Sequence, residues 1–319
     1  MRSRIRQLVY GAFATIAMLA TVSQIGAEET GTANVPVRMI VTASVAGNKR
    51  MPEIKREDVL VKRGKERLKV AEWTPAQGNR AGLELFVLID DTSDPRIGGQ
   101  FDDLRAFINA QPQTTLIGVG YMRNATVQIA QNFTADHAAA AAALRLPFGS
   151  PGAFGSPYYS VVDLMNRWPK SENRREVLMV TDGIDRVHSR IGFRRGFYLN
   201  PVVDTASAVA QRTGTMIHTI YYPGVGHHHR NYWEATNGQL DLARLSDSTG
   251  GESYYLGLQS PVSFVPYLNS LQMAIDNQYL VSFWAKPAKK PGLQYVALST
   301  EVAGVELSTH DAVWVPAVN

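Results

Sequence analysis

The 319-residue chain contains no cysteine. That excludes disulfide bonds, thiolate nucleophiles and cysteine metal sites, and it leaves packing to supply stability. A chain with nothing to mispair also suits an oxidising compartment. Beyond residue 27 there is no uncharged apolar run near the roughly 20 residues that a spanning helix needs. Net charge is low as well. The 32 Lys and Arg against 28 Asp and Glu give +4, but Arg2, Arg4 and Arg6 precede the first acid, Glu28, so the chain after residue 27 carries only about +1. Such a balance gives no footprint for nucleic acid, which is excluded as a partner. Catalytic signatures are missing too. No Gly-x-x-x-x-Gly-Lys-Ser/Thr phosphate loop occurs, and Gly149-Ser150-Pro151 and Gly155-Ser156-Pro157 do not form a Gly-x-Ser-x-Gly elbow. Asp90-x-Thr92 falls one residue short of the Asp-x-Asp pair of a carboxylate-nucleophile phosphatase. A phospho-acceptor receiver needs a second strand-ending Asp and a downstream Lys, and Leu116 to Tyr121 supplies neither. The balance points to a protein that is not an enzyme, with an unrecognised hydrolase as the remaining enzymatic reading.

The N-terminus does carry a strong pattern. Three arginines within the first six residues are followed by an uncharged apolar stretch from Leu8 to Val22 and a small-residue segment ending at Ala27. This is the layout of a secretory signal peptide, with cleavage expected after Ala27. Gly11, Thr15 and Thr21 make an uncleaved anchor the weaker alternative. The expected organisation is a signal peptide over 1–27, an N-terminal β segment over 28–80, an α/β domain over 81–277 and a C-terminal β segment over 278–319.

The middle segment earns its assignment from periodicity. Leu83 to Ile89 is a nearly continuous apolar run ending in Asp90-Asp91, as strands buried on both faces do. Phe101, Leu104, Phe107 and Ile108 recur at helical spacing, and Leu116–Tyr121 and Ala125–Phe133 read as strands paired across an Arg123-Asn124 turn. Strand and helix then alternate: 177–180, 203–212, 216–221, 240–248, 253–256 and 262–275. This specifies an open, doubly wound, mostly parallel α/β sheet, whose carboxyl edge is expected to carry the site. The flanks read as strands only, with a hairpin over 58–66 and strands over 37–43, 279–284, 294–302 and 311–315. They are expected to join into a small accessory β subdomain.

Three fragments follow these strands in order: Asp90-x-Thr92-x-Asp94, Gly155-Ser156-Pro157-Tyr158 opening a helix, and Thr181-Asp182-Gly183. In them the chain resembles the von Willebrand factor type A family, and the β segments on either side resemble those of an exported bacterial variant of that domain. The resemblance implies a metal-ion-dependent adhesion site whose ligands map onto Asp90, Thr92, Asp94, Ser156 and Asp182. It also implies a divalent cation, Mg²⁺ or another, with an open position for a partner's carboxylate. Hydroxyls and carboxylates are suitable oxygen donors for such a hard ion. The chain departs from the family pattern in carrying Thr at 92, Asp at 94 and Ser at 156. Asp94 adds charge to the ligand set, or else caps the following helix.

Two insertions, 186–200 and 223–238, are expected to leave the same edge. They carry Arg186, Arg190, Arg194, Arg195 and Arg230 among Phe193, Phe197, Tyr198, Tyr232 and Trp233, residue types that anchor interfaces. From these, Arg194, Arg195, Phe197, Tyr198, Arg230, Tyr232 and Trp233 form an expected partner-binding rim, with solvated surface loops as the alternative. His227-His228-His229 reads as a solvated loop rather than a transition-metal site. The functional expectation is an exported module that binds a protein or extracellular ligand, through a divalent cation or, alternatively, as a metal-free scaffold of the cell envelope.

Overall fold

The structure, a computed structural model, describes residues 34–47, 51–150, 152, 154–187, 199–225, 232–255, 257–287 and 290–317. The expected signal peptide, Arg190, Phe193, Arg194, Arg195, Phe197, Tyr198, His227 to His229 and Arg230 lie outside the described residues. In chain order the strands and helices are β1 Val35–Val45, β2 Val59–Arg63, β3 Glu66–Leu68, β4 Val70–Pro75, β5 Leu83–Asp90, α1 Phe101–Asn109, β6 Thr115–Arg123, β7 Thr126–Thr134, α2 His137–Ala142, α3 Pro157–Arg167 and β8 Arg174–Thr181. They continue with α4 Pro201–Thr213, β9 Thr215–Tyr221, α5 Tyr232–Ser248, β10 Ser253–Tyr254, α6 Val265–Asp276, β11 Gln278–Ala285, β12 Gly292–Tyr295, β13 Ala297–Thr300, β14 Val305–Ser308 and β15 Ala312–Val315.

The central sheet has the order β10-β9-β8-β5-β6-β7, parallel except for β7. The order reverses direction at β5, the first strand laid down, so the carboxyl ends of β5 and β8 open a crevice there. Every residue of β5 is buried, and its side chains divide by parity. Leu83, Leu85, Val87 and Ile89 pack with α1, α2 and α6 on one face. Phe86 and Leu88 pack with α3, α4 and α5 on the other. A strand covered on both faces must be apolar at both parities, which is why the sequence shows a run rather than alternation.

The N- and C-terminal segments interleave. Strand β1 pairs antiparallel with β11, from Val35 opposite Ala285 to Thr42 opposite Gln278, in a sheet of order β14-β1-β11-β4. Smaller sheets β13-β2-β3 and β12-β15 add to it, and Val37, Val41, Val61, Phe283 and Val315 share one apolar cluster. This accessory β region is joined to the central sheet by buried polar groups. Gln278, the first residue of β11, donates to Glu176 Oε1 at 2.5 Å and accepts from Arg174, both at the start of β8. His218 Nε2 lies 3.5 Å from the other Glu176 oxygen, and all four residues are buried.

Three local expectations change. The β6–β7 turn falls on Asn124-Ala125 rather than Arg123-Asn124, because Arg123 pairs with Thr126 and both intervening residues take positive φ, 55° and 57°. The expected strand over 294–302 divides at Val296. Its first half pairs with β15 and its second with β2, a change of partner that alternation cannot register. Helix α5 begins at Tyr232, eight residues before the apolar spacing from Leu240 suggested.

Candidate functional site

Strand β5 delivers Asp90 to the carboxyl edge, and β8 delivers Thr181 and Asp182 beside it. Asp90 is 3% exposed. Its Oδ1 accepts the Thr92 N–H at 2.8 Å and its Oδ2 accepts the Thr181 hydroxyl at 2.6 Å. Burial and the charge of Asp182 push the Asp90 pKa upward, against the opposing charge of Arg186. Asp182 is 1% exposed, and Arg186 reaches it with both terminal nitrogens, Nη1 to Oδ1 at 3.2 Å and Nη2 to Oδ2 at 2.5 Å. Oδ1 also accepts the Ile184 N–H.

Asp90, Thr92, Ser156 and Arg186 line one small cavity of about 10 Å³, room for roughly one water-sized body. Ser156 is there because its hydroxyl caps α3, accepting the Tyr159 N–H at 3.3 Å ahead of Pro157 at the first helical position. Thr92 Oγ1 is buried beside Asp90 and has no hydrogen-bond partner among the described residues. Asp94 does not line the cavity. It caps the 3₁₀ turn Pro95–Gln100, accepting the Arg96 N–H, and forms an ion pair with the Arg96 side chain at 2.7 Å. Of the five expected ligands, then, Asp90, Thr92 and Ser156 converge, Asp182 stands behind Arg186, and Asp94 turns away.

As arranged, these donors do not fit a divalent cation, because the Arg186 guanidinium stands in the cavity wall and occupies both oxygens of Asp182. Water can complete a magnesium shell around few protein oxygens, so the obstacle is the fixed positive charge and not the number of donors.

The neighbouring acid, Asp91, is fully buried and held the same way. Arg145 grips it through two bonds of 2.7 and 3.0 Å, and Arg123 stands at 3.9 Å. The Arg145 guanidinium lies 3.7 Å from the centroid of Tyr121 and 4.1 Å from that of Phe148, while Arg123 covers Phe148 at 4.9 Å. The described part of the loop between 144 and 156 therefore stands on an arginine and aromatic stack. From it Leu146, Phe148 and Phe154 project, with Phe148 and Phe154 each 62% exposed. Leu146 reaches Gly98, Gly149 backs onto Val225, and Phe154 borders the cavity that Asp90 lines. Composition did not single them out, since two Phe in a Gly and Pro loop carry no periodic signal. On the expected rim, Tyr232 is exposed and stands edge-on to the half-buried Trp233, with ring centroids 5.7 Å apart.

No protein-family model matches the sequence, and no curated protein matches it. The chain is similar in structure to solved von Willebrand factor type A domains. An aerotolerance-related membrane protein of Bacteroides fragilis is 10% identical, with a TM-score of 0.42, over 61% of this chain and 99% of that one. BatB of Bacteroides thetaiotaomicron is 13% identical, with a TM-score of 0.40, over 61% and 96%. A von Willebrand factor type A protein of Catenulispora acidiphila is 8% identical, with a TM-score of 0.43, over 92% and 76%. The fold class rests on the chain's own sheet order, and the site on its own residues.

Proposed function

We propose that the chain is an exported protein-interaction module that docks its partner on the carboxyl edge of the central sheet, without turnover of a substrate. The supporting observation is the set of exposed side chains Leu146, Phe148, Phe154 and Val225 on loops at this edge, beside acids whose charges are already paired. Large apolar groups held rigidly in solvent mark recognition surfaces, because burying them contributes about 25 cal/mol per Å² with little further ordering cost. Arg123 and Arg145 hold Phe148 in place, an arrangement that favours a protein surface with an apolar patch and an acidic margin. Among the described residues no helix is long and apolar enough to cross a membrane. The leader over 1–27 supports export, where an interaction module of the cell envelope would meet its partner.

The test places a photo-crosslinking residue at 148 or 154 in the native host, with a control at the exposed Glu172 before β8. A recurring adduct of one mass from 148 and 154, absent from 172 and lost on Phe148→Ser in the 154 background, is the expected result. Equal adducts from both edges, or none from 148 and 154, would remove the docking reading.

A further inference from the structure

At the carboxyl edge the acidic centre carries its own cation. Both Asp182 oxygens accept from Arg186, and Nη1 also donates to Ile184 O at 3.1 Å, so the guanidinium is fixed from two sides. The Arg186 backbone N–H donates to Gly155 O at 2.6 Å, which ties it to the loop that presents Ser156. Gly224 closes over the pair: a Cβ there would stand 2.6 Å from Asp182 Oδ2 and 3.1 Å from Arg186 Nη2. Arg186 is 12% exposed at its side chain and Asp182 1%.

We infer that Arg186 takes the position of a divalent cation, serving as the permanent counter-charge to Asp182 and Asp90, so that this edge is metal-independent. Buried carboxylates persist as charges only when neutralised and hydrogen-bonded. A guanidinium does this with directed donors and a charge that no chelator removes. A hard ion would have to strip Asp182 of its two Arg186 bonds, pass the Gly224 backbone and sit beside a fixed positive charge. The cavity suits one water, bridging the unpartnered Thr92 hydroxyl to Asp90 and Ser156. The same geometry means that removing Arg186 frees both Asp182 oxygens next to Asp90 and the Thr92 and Ser156 hydroxyls and turns the position into a cation site. This goes beyond the docking proposal and stands without it, since its test reads ion binding and not partner binding.

The experiment uses the full chain with Mn²⁺ as the probe, following bound Mn²⁺ by electron paramagnetic resonance and the melting midpoint with EDTA or millimolar Mn²⁺. The wild-type chain is expected to retain no Mn²⁺ and to show the same midpoint in both. Arg186→Ala in EDTA is expected to melt at least about 5 °C lower, because it leaves a buried carboxylate uncompensated. It is then expected to bind one Mn²⁺ per chain, recovering most of that loss by mass action. Adding Asp182→Asn abolishes that binding. One Mn²⁺ bound by the wild-type chain and lost in Asp182→Asn overturns the inference, as does a folded Arg186→Ala chain that takes up no ion. Should Arg186→Ala fail to fold, Arg186→Gln is read by the same criteria, and should both fail, the wild-type arm decides alone.

Discussion

Asp241 and His310 are both almost fully buried, and their protons respond to pH in opposite senses. Burial raises Asp241 to about 7, despite hydrogen bonds from Arg244 and the Asn200 backbone, while burial lowers His310 to about 4. For Asp241 the folded chain holds a proton that the unfolded chain has released, so its contribution is complete near pH 4 and is lost as pH rises to 7. For His310 the unfolded chain takes the proton first, so its contribution is present above about pH 6.5 and is lost as pH falls toward 4. Each is worth a few kcal/mol at most, and the two largely offset each other between pH 4 and 7. Asp241→Asn is therefore expected to gain stability relative to wild type as pH rises through that window, and His310→Gln to gain as pH falls. Urea midpoints across that pH range measure both differences, and parallel profiles for the three chains would refute the assignment. At this scale the sequence made Asp90, Asp182 and Ser156 legible, since each follows a strand or opens a helix. It placed Arg186 outward with the other arginines of its insertion, because nothing in a linear pattern shows which arginine folds back onto an acid four residues earlier.

The β6–β7 hairpin and the close approach of α5 to β8 show how elements constrain single positions. Ala125 takes φ of 57° in the two-residue turn, a left-handed conformation that costs a residue with a Cβ about 1–2 kcal/mol. Ala125→Gly is expected to stabilise the chain by about 1 kcal/mol, less than the full strain because glycine loses more entropy on folding. Gly183 presents the reverse case. It takes φ of 70° after β8, and a Cβ there would lie 2.5 Å from the Gly238 carbonyl of α5. Gly183→Ala should destabilise by more than 2 kcal/mol, on the order of backbone strain plus a contact that cannot relax. Gly214 provides the comparison, since it has φ of 66° at the end of α4 and open space around it. Its alanine variant should cost only about 1 kcal/mol. Denaturant midpoints at constant slope order the three. The elements themselves were legible, because β5 carries an unbroken apolar run and α1 an unbroken helical spacing over a full length. The exact turn, the division at Val296 and the start of α5 were not, because each depends on which partner lies alongside.

Across the whole molecule, the joint between the central sheet and the accessory strands is polar. Arg174, Glu176, His218 and Gln278 are buried together where β8, β9 and β11 meet. Burial alone would raise the Glu176 pKa, but His218, Arg174 and Gln278 together hold it below its usual value. Gln278→Ala removes the amide that bridges Arg174 and Glu176, and leaving buried charges short of partners is expected to cost about 2–4 kcal/mol. Glu176→Gln, which keeps the shape and drops the charge, should cost less. A thermal melt that ranks them in the other order would show that Gln278 does not carry the joint. The sequence alone determined the layers: a chain without cysteine has to stabilise itself by burying apolar faces, and the period of each segment states which face that is. It also determined which strand ends carry acids. Tertiary structure alone decided what those acids meet. The pairing of Asp182 with Arg186, of Asp91 with Arg145 and of Asp94 with Arg96 depends on side-chain direction and on burial, which sets whether a carboxylate must be neutralised from within the chain. Periodicity reports burial one segment at a time, and a counter-charge is a relation between segments.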